Sequence, residues 1–359
     1  MVGTTYGQVE ERIEQSSDLS SLVQRLQADP RGPFQGLRWF CPDGSVRPPQ
    51  DRCAQPGGKQ HGLLKDEVLR LQRAHHLFFD PVLTGTGVEA FWDEPHQQSR
   101  LKQYLLLRYL FATDDGWIMR RAQYYRGALQ AEDEAQWSRQ FLAWLVQDHE
   151  RLSSHFYLVR EAVRGLPLEA ESDLQQRIRA LSGDISEDYP PFLDLRVKIH
   201  GQPDSSDLVR VQAFRDRHQG EFSPAVREQI DRLETLLRQA YDISPGAQIQ
   251  ATIRRLGAST ALAKRLDTYL ARVEGATPSQ FVARSAELLW HLRIELSSLP
   301  PEQRLTVLQV SVALEDGILR SAARWRPSTL AGLTEKVYAL AEAAAGAGFL
   351  EVWEWVQME

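Results

Sequence analysis

Apolar positions recur at helical spacing through most of the chain. Val226, Ile230, Leu233, Leu237 and Tyr241 form one stripe, Phe281, Leu288, Leu292 and Leu296 a second, and Leu305, Leu308, Val312 and Leu319 a third. Intervals of three and four residues gather each set on one side of a helix, so each stripe predicts a helix that buries one face. Punctuation agrees with the stripes. Thr277-Pro278-Ser279-Gln280 reads as an N-cap, a proline at the first helical position and a capping-box glutamine, and Ser223-Pro224 reads as a second start. Gly165 ahead of Pro167, Gly183, Gly220 and Gly257 stand where helices should stop. Strand signals are thin: only Phe192 to Ile199, after Pro190-Pro191, alternates as a strand would, and one strand alone has nothing to pair with.

The pattern predicts short helices before residue 30, then helices near 63–79, 99–112, 115–130 and 133–164. After a looser stretch at 183–206 it predicts helices near 207–219, 224–242, 246–256, 259–274, 279–298, 302–323, 328–345 and 349–358. The fold class expected is all-α, a multi-helix array or bundle interrupted by one Pro/Gly/Cys-rich loop near residues 39–62. Two domains follow: residues 1–182, helical and carrying that loop, and residues 205–359, a helical bundle. Gly183, Pro190, Pro191, Gly201 and Pro203 make 183–204 the linker candidate, although the same stretch also reads as a packed loop. No repeat at a solenoid period is present.

Composition narrows the class. With 359 residues, 42% hydrophobic and 25% charged, the chain is expected to be a soluble globular protein with two or three cores. A net charge of -6 without a basic half leaves no electrostatic footprint for nucleic acid. The first residues are polar and acidic, and the most apolar stretch, Tyr104 to Ala112, is interrupted by Arg108, so neither a signal peptide nor a membrane span is expected and the location is read as cytoplasmic. Asparagine is absent, and lysine occurs only at Lys59, Lys65, Lys102, Lys198, Lys264 and Lys336. A GC-rich bacterial genome explains both. Without asparagine there is no N-glycosylation sequon, kinase catalytic-loop asparagine or Cys-His-Asn protease triad.

Residues 39–62 hold both cysteines in a stretch dense in proline and glycine. Cys41, Cys53 and His61, with His75 or His76 as a fourth ligand, could hold zinc, but the spacing fits no standard finger; two buried thiols are the plainer reading and a disulfide the third. Gly57-Gly58-Lys59 ahead of a helix expected near Leu63 could cradle an anion, although the Walker spacing is missing. Arg120, Arg121 and Arg126, with Tyr124 and Tyr125, could extend that anion site, or pair with Asp114-Asp115 and Glu132-Asp133-Glu134. Those carboxylates sit at helix starts, where the helix dipole alone favours them. Asp148-His149-Glu150 with His155 resembles a metalloprotease helix but fails its spacing, since Ser153 stands where the second histidine belongs. Glu287 and His291 lie one turn apart, an arrangement typical of a surface contact. No catalytic constellation assembles from these pieces. At the C-terminus, Phe349, Trp353 and Trp355 put large apolar groups on an apparently terminal helix, which calls for cover by the bundle, by a partner or by a further domain.

Several stretches resemble the helical N-terminal region of bacterial phosphoenolpyruvate synthase and pyruvate, phosphate dikinase-like proteins. They are Arg38-Trp39-Phe40-Cys41-Pro42-Asp43-Gly44 with Gly57-Gly58-Lys59-Gln60-His61-Gly62, Arg120-Arg121-Ala122-Gln123-Tyr124-Tyr125-Arg126-Gly127-Ala128, Pro190-Pro191-Phe192-Leu193-Asp194-Leu195 and Ala345-Gly346-Ala347-Gly348-Phe349-Leu350. The catalytic modules of that family, an ATP-grasp domain, a phosphohistidine domain and a phosphoenolpyruvate-binding barrel, have no counterpart in this sequence. His61 follows Gly57-Gly58 by one residue too few for the phosphohistidine signature, so the acceptor role is not carried over to it. The resemblance implies a non-catalytic helical scaffold or regulatory domain of a phosphotransfer system, with protein contacts through the C-terminal helix. The alternative is a zinc-stabilised binding module or small metalloenzyme built on Cys41, Cys53 and His61.

Overall fold

A computed structural model of the protein describes residues 19–79, 83, 85–113, 117–122, 125, 131–166, 173–201, 206–241, 245–257 and 260–321. The chain divides into two compact units, the first taking residues 1–85, 107–131 and 171–238 and the second 86–106, 132–170 and 239–359. The expected division at 183–204 is therefore corrected. That stretch belongs to the first unit and is mostly helix, and each unit is assembled from segments far apart in sequence, which no single composition shift along the chain can mark.

In the first unit, helix α1 (residues 19–28) precedes strands β1 (Phe34–Phe40), β2 (Val46–Arg47) and β3 (Lys59–Leu64) and helix α2 (Asp66–His75). The strands form an antiparallel sheet in the order β2-β1-β3, with Arg38 opposite His61, Phe40 opposite Lys59 and Trp39 opposite Arg47 on the other side. The mostly helical expectation holds, and a small sheet stands where a loop was expected. Strand formation depends on partners: Lys59-Gln60-His61-Gly62 has little β-propensity, yet it pairs with the aromatic, Leu-containing β1. Leu22, Leu26, Phe34, Val68, Ile118, Met119 and Ala122 pack into one core beneath the sheet's Phe34 end. Gly62 sits there because a Cβ would collide with the Phe34 ring and the Tyr125 carbonyl. Lys65 ties the sheet's exit to the end of α1, donating to Gly32 O at 2.6 Å and to Asp29 at 2.6 Å; that bond holds the Asp29 carboxyl below the usual carboxylate range.

The other described elements of the first unit are mainly helices: α5 (Ile118–Ala122), α9 (Asp173–Asp188), α10 (Leu193–Gly201), α11 (Ser206–His218) and α12 (Pro224–Tyr241). Phe192 to Ile199 is not a strand. Pro190-Pro191 opens a 3-10 turn, Pro190–Phe192, that runs into α10 with Phe192 fully buried. Gly183 is also not a stop, for α9 continues through it and a Cβ there would meet Arg196 at an ordinary 3.9 Å. On α12 the predicted stripe is buried at Val226, Ile230, Leu233 and Leu237, worth about 1.5–3 kcal/mol per side chain as an upper estimate. Its start is capped as expected, Val226 N donating to Ser223 Oγ at 3.2 Å.

The second unit holds α3 (Val88–Trp92), α6 (Ala131–Gln147), α7 (His149–Ser154), α8 (Phe156–Gly165), α13 (Pro245–Leu256), α14 (Ala261–Val273), α15 (Pro278–Glu295) and α16 (Pro301–Ser321). Helix α4 (Ser99–Thr113) contributes residues to both units. The helix expected over 133–164 is broken into three. Asp148, in extended conformation, accepts from Arg151 N at 2.7 Å and so caps α7, and His155 leaves helical geometry before α8. The capping box at Thr277 is present, with Gln280 N donating to Thr277 Oγ1 at 3.3 Å and Thr277 N to Gln280 Oε1 at 3.1 Å. Helix α16 packs on α8, α13 and α15 and is buried on most sides along its second half. An aromatic cluster fills the other end: Phe91 meets Tyr104, Trp137 and Phe141 edge-on, and Trp137 stacks on Phe141 at 5.3 Å. No helix among the described residues is long and apolar enough to cross a membrane.

Candidate functional site

The outer end of the sheet brings together most of the residues singled out from the sequence. After β1 the chain turns at Cys41-Pro42-Asp43-Gly44: Gly44 N donates to Cys41 O and Cys41 N to Ser45 O, both at 2.9 Å. Gly44 takes φ +80°, where a side chain would be strained. The Asp43 carboxylate accepts from the Ser45 hydroxyl at 2.6 Å and from Ser45 N at 2.9 Å, and these bonds hold its pKa below the usual carboxylate range. Arg47 lies between Asp43 at 3.9 Å and Asp51 at 3.7 Å. The following arm returns across Trp39, whose Nε1 donates to Pro49 O at 3.0 Å and whose ring carries the Arg52 guanidinium at 5.5 Å. Cys53 then joins Cys41 in a disulfide, with a Cα separation of 5.5 Å. A Cβ on Gly58 would collide with the Cys53 side chain, which explains a glycine at that position.

This geometry corrects the zinc expectation. Disulfide sulfurs offer no thiolate to a metal, and Cys41 and Cys53 are neither free thiols nor zinc ligands here. His61 lies in β3 with its ring 5.7 Å from that of Phe40. His75 ends α2, and His76, in left-handed conformation, meets the Phe78 ring edge-on at 4.8 Å. The helix expected directly after the glycines is corrected as well. Gly57 and Gly58 lead into a strand rather than a helix, Lys59 is the strand's first residue, and α2 begins at Asp66 with Asp66 and Glu67 in its first turn, where carboxylates repel an anion. The side chains of Arg120 and Arg121, on α5, lie outside the described residues, as do Arg126, Tyr124, Asp114 and Asp115. So do Phe349, Trp353 and Trp355. Glu132-Asp133-Glu134 falls in the first turn of α6, the position that the helix dipole favours. Glu287 pairs with Arg272 at 3.2 Å across α14 and α15.

Further clusters were not singled out from the sequence. In the second unit, Arg160 on α8 and Glu315 on α16 are both fully buried; Arg160 Nε donates to Glu315 Oε1 at 3.0 Å and a second guanidinium nitrogen reaches Glu315 Oε2. Arg164, one turn on, reaches Glu315 at 2.5 Å, Glu161 at 2.8 Å and Asp316 at 3.2 Å. Burial disfavours the Arg164 cation, but the carboxylates of Asp316, Glu315 and Glu161 outweigh it and keep its pKa above the ordinary arginine value. A signal for this was present: Glu315 occupies the next place of the stripe Leu308, Val312, and Arg160 stands one turn from Phe156 among apolar residues. Arg304, also on α16, donates to the Val146 and Gln147 carbonyls at the end of α6, at 2.9 and 3.3 Å. In the first unit, Lys198 on α10 and Asp207 on α11 form a buried pair. Nearer the surface, Tyr189 donates to Glu221, and His218 Nδ1 lies 3.3 Å from both. The Glu221 bond pushes the Tyr189 phenol up to about 12, and the same bond, followed by His218, holds Glu221 below the usual range.

Compared with protein-family models, with curated proteins and with solved structures, the chain has no match in any of the three.

Proposed function

We propose that this chain is a non-catalytic helical scaffold or regulatory domain that works in the cytoplasm through protein contacts, alongside a phosphoenolpyruvate-utilising phosphotransfer enzyme. The observation that supports the scaffold reading is where the strongest buried polar groups are directed. Arg160, Arg164 and Glu315 join α8 to α16, Arg304 joins α16 to the end of α6, and Lys198 with Asp207 joins α10 to α11. Each side chain fixes one element against another, which is the use expected of buried charges that set register rather than turn over a substrate. The class of partner rests on the resemblance of Arg38–Gly44, Gly57–Gly62 and the other stretches to the helical region of phosphoenolpyruvate synthase-like proteins. The contact is assigned to Phe349, Trp353 and Trp355, since aromatic side chains are among the residues that carry most of the energy of an interface.

The test is reconstitution of the purified full chain with a phosphoenolpyruvate synthase-type enzyme of the same source. Complex formation is measured by sedimentation, and phosphoenolpyruvate-dependent phosphotransfer is assayed with and without the chain. The expected result is a complex that Trp353→Ala with Trp355→Ala weakens by at least about tenfold while helicity is kept. Turnover of phosphoenolpyruvate, pyruvate or ATP by the chain alone, or a complex indifferent to both tryptophans, overturns the reading.

A further inference from the structure

The chain has only two cysteines, and the fold joins them across an exposed arm. We infer that Cys41–Cys53 is a thiol-exchange site: oxidised, it fastens the arm of residues 48–57 over Trp39, and reduced, it releases it. The inference rests on the cytoplasmic reading above, because a disulfide in a thiol-reducing compartment is as a rule transient and redox-responsive rather than permanent.

Three observations carry it. Both cysteines are partly exposed, so a thiol in solution can reach them. The arm has little else to hold it: Gln50, Asp51, Arg52 and residues 54–57 are exposed, and Asp51 is 63% exposed in its ion pair with Arg47. An exposed ion pair, one cation–π contact and one hydrogen bond from Trp39 are weak beside a covalent closure of the loop. Finally, the closure sits next to what it controls. Arg52 precedes Cys53 and lies over the Trp39 ring, and Trp39 is two residues from Cys41, so opening the bond frees the residues that cover that ring.

The chemistry balances with a named reductant, a glutathione-type monothiol or a thioredoxin-type dithiol. Its thiolate attacks one sulfur and expels the other cysteine as a thiolate, leaving a mixed disulfide. A second thiolate of the reductant then takes the reductant's sulfur from that intermediate. Two electrons and two protons pass to the protein, giving two cysteine thiols, and the reductant leaves as its disulfide.

The experiment equilibrates the full chain in glutathione buffers from the cytosolic to the oxidising range. The thiols are then trapped by alkylation, and limited trypsin cleavage after Arg52 is followed on reducing gels. Arg47 precedes Pro48 and resists the enzyme, so Arg52 reports on the arm. The expected result is reversible opening within the cytosolic range, with cleavage at Arg52 accelerated at least about tenfold. The change in Trp39 emission, isolated by subtracting Trp39→Phe, should follow the same curve. Cys41→Ser with Cys53→Ser should be cleaved in every buffer like the reduced protein. A disulfide that stays closed throughout the cytosolic range, or one that opens with cleavage and emission unchanged, overturns the inference. Alkylation in intact cells separates this from the location: a pair found wholly oxidised while cytosolic thiols are reduced overturns the cytoplasmic reading, whereas exchange measured in vitro stands or falls on its own.

Discussion

The outer end of the sheet and the α8–α16 interface solve the same problem in opposite ways. At the sheet the side chains are half-buried, β2 is two residues long, and the segment from Cys41 to Gly58 has no apolar face of its own. Order there comes from the backbone ladder, the turn bonds of Asp43 and one covalent closure. At α8–α16 Arg160 and Glu315 are fully buried, and order comes from a pair of charges that have no solvent to fall back on. A buried Arg–Glu pair contributes little net stability against an apolar pair of the same volume, yet either partner left alone is strongly destabilising. The interface therefore accepts one register of α8 on α16 and penalises the others. The lesson is that the same fold uses covalent constraint where water is near and electrostatic exclusion where it is absent.

At the α8–α16 interface the most damaging single change expected is Glu315→Ala. It removes the carboxylate that Arg160 and Arg164 share and leaves Arg160 buried, so urea unfolding should show a loss of about 3–5 kcal/mol. Arg160→Met with Glu315→Leu removes both charges at similar volume, and stability should return to the wild-type value or above it, with Arg164 still held by Glu161 and Asp316. A Glu315→Ala loss below about 1 kcal/mol would mean that the two charges are not desolvated as described.

At the sheet the tightest backbone approach is at Gly62. Gly62→Ala drives a methyl group into the Phe34 ring and the Tyr125 carbonyl, and should lower stability by about 1–3 kcal/mol in the same denaturation assay. Gly44→Ala is the control: nothing lies near its Cβ, and only the positive φ opposes it, so the loss should stay near about 1 kcal/mol. Equal losses at the two positions would show that packing at the Phe34 end of the sheet is looser than the contacts imply.

What was legible in the sequence follows the same division. Stripes such as Val226, Ile230, Leu233 and Leu237, and caps such as Thr277 with Gln280, are local, and both appear where they were expected because a helix is decided by residues three and four apart. The β1–β3 pairing was not legible, since its partners are separated by the whole Cys41–Gly58 segment and β3 lacks strand-forming residues. Phe192 to Ile199 misled for a related reason: alternation over so few residues fits a strand, but Pro190-Pro191 supplies a 3-10 start and α9 supplies a packing partner. The disulfide was one of three readings of Cys41 and Cys53, and spacing alone could not choose, because the choice depends on how β1 and the arm are folded back. Glu315 was placed on its helix but not recognised, for the stripe was read by its apolar members and a charge in register with them passed as an interruption.

The smallest expected effect lies at the surface of the first unit and tests whether exposed polar clusters there do more than decorate it. Tyr189 donates to Glu221, and its pKa rises from the ordinary 10.0 to about 12. A phenol whose folded pKa is raised contributes stability that is fully present below its unfolded value and is lost as pH climbs through the folded one. Glu221 works in the other sense. Its pKa is lowered, so its contribution is present above the ordinary 4.5 and fades as pH falls below that value. The bond is thus intact across the neutral range and weakens at both ends. Tyrosinate absorbance of the wild type minus that of Tyr189→Phe should show one group titrating near 12, because Tyr269, pushed up to about 12 by burial despite its Ser285 bond, is present in both and cancels. Glu221→Gln should bring that group back towards 10.0 while leaving Tyr269 in place. A difference curve already centred near 10.0 in the wild type would show that the Tyr189–Glu221 bond does not persist in solution. The turn after α11 would then rest on its Glu221 N to His218 O backbone bond and on the packing of Phe214 and Phe222 around Tyr189.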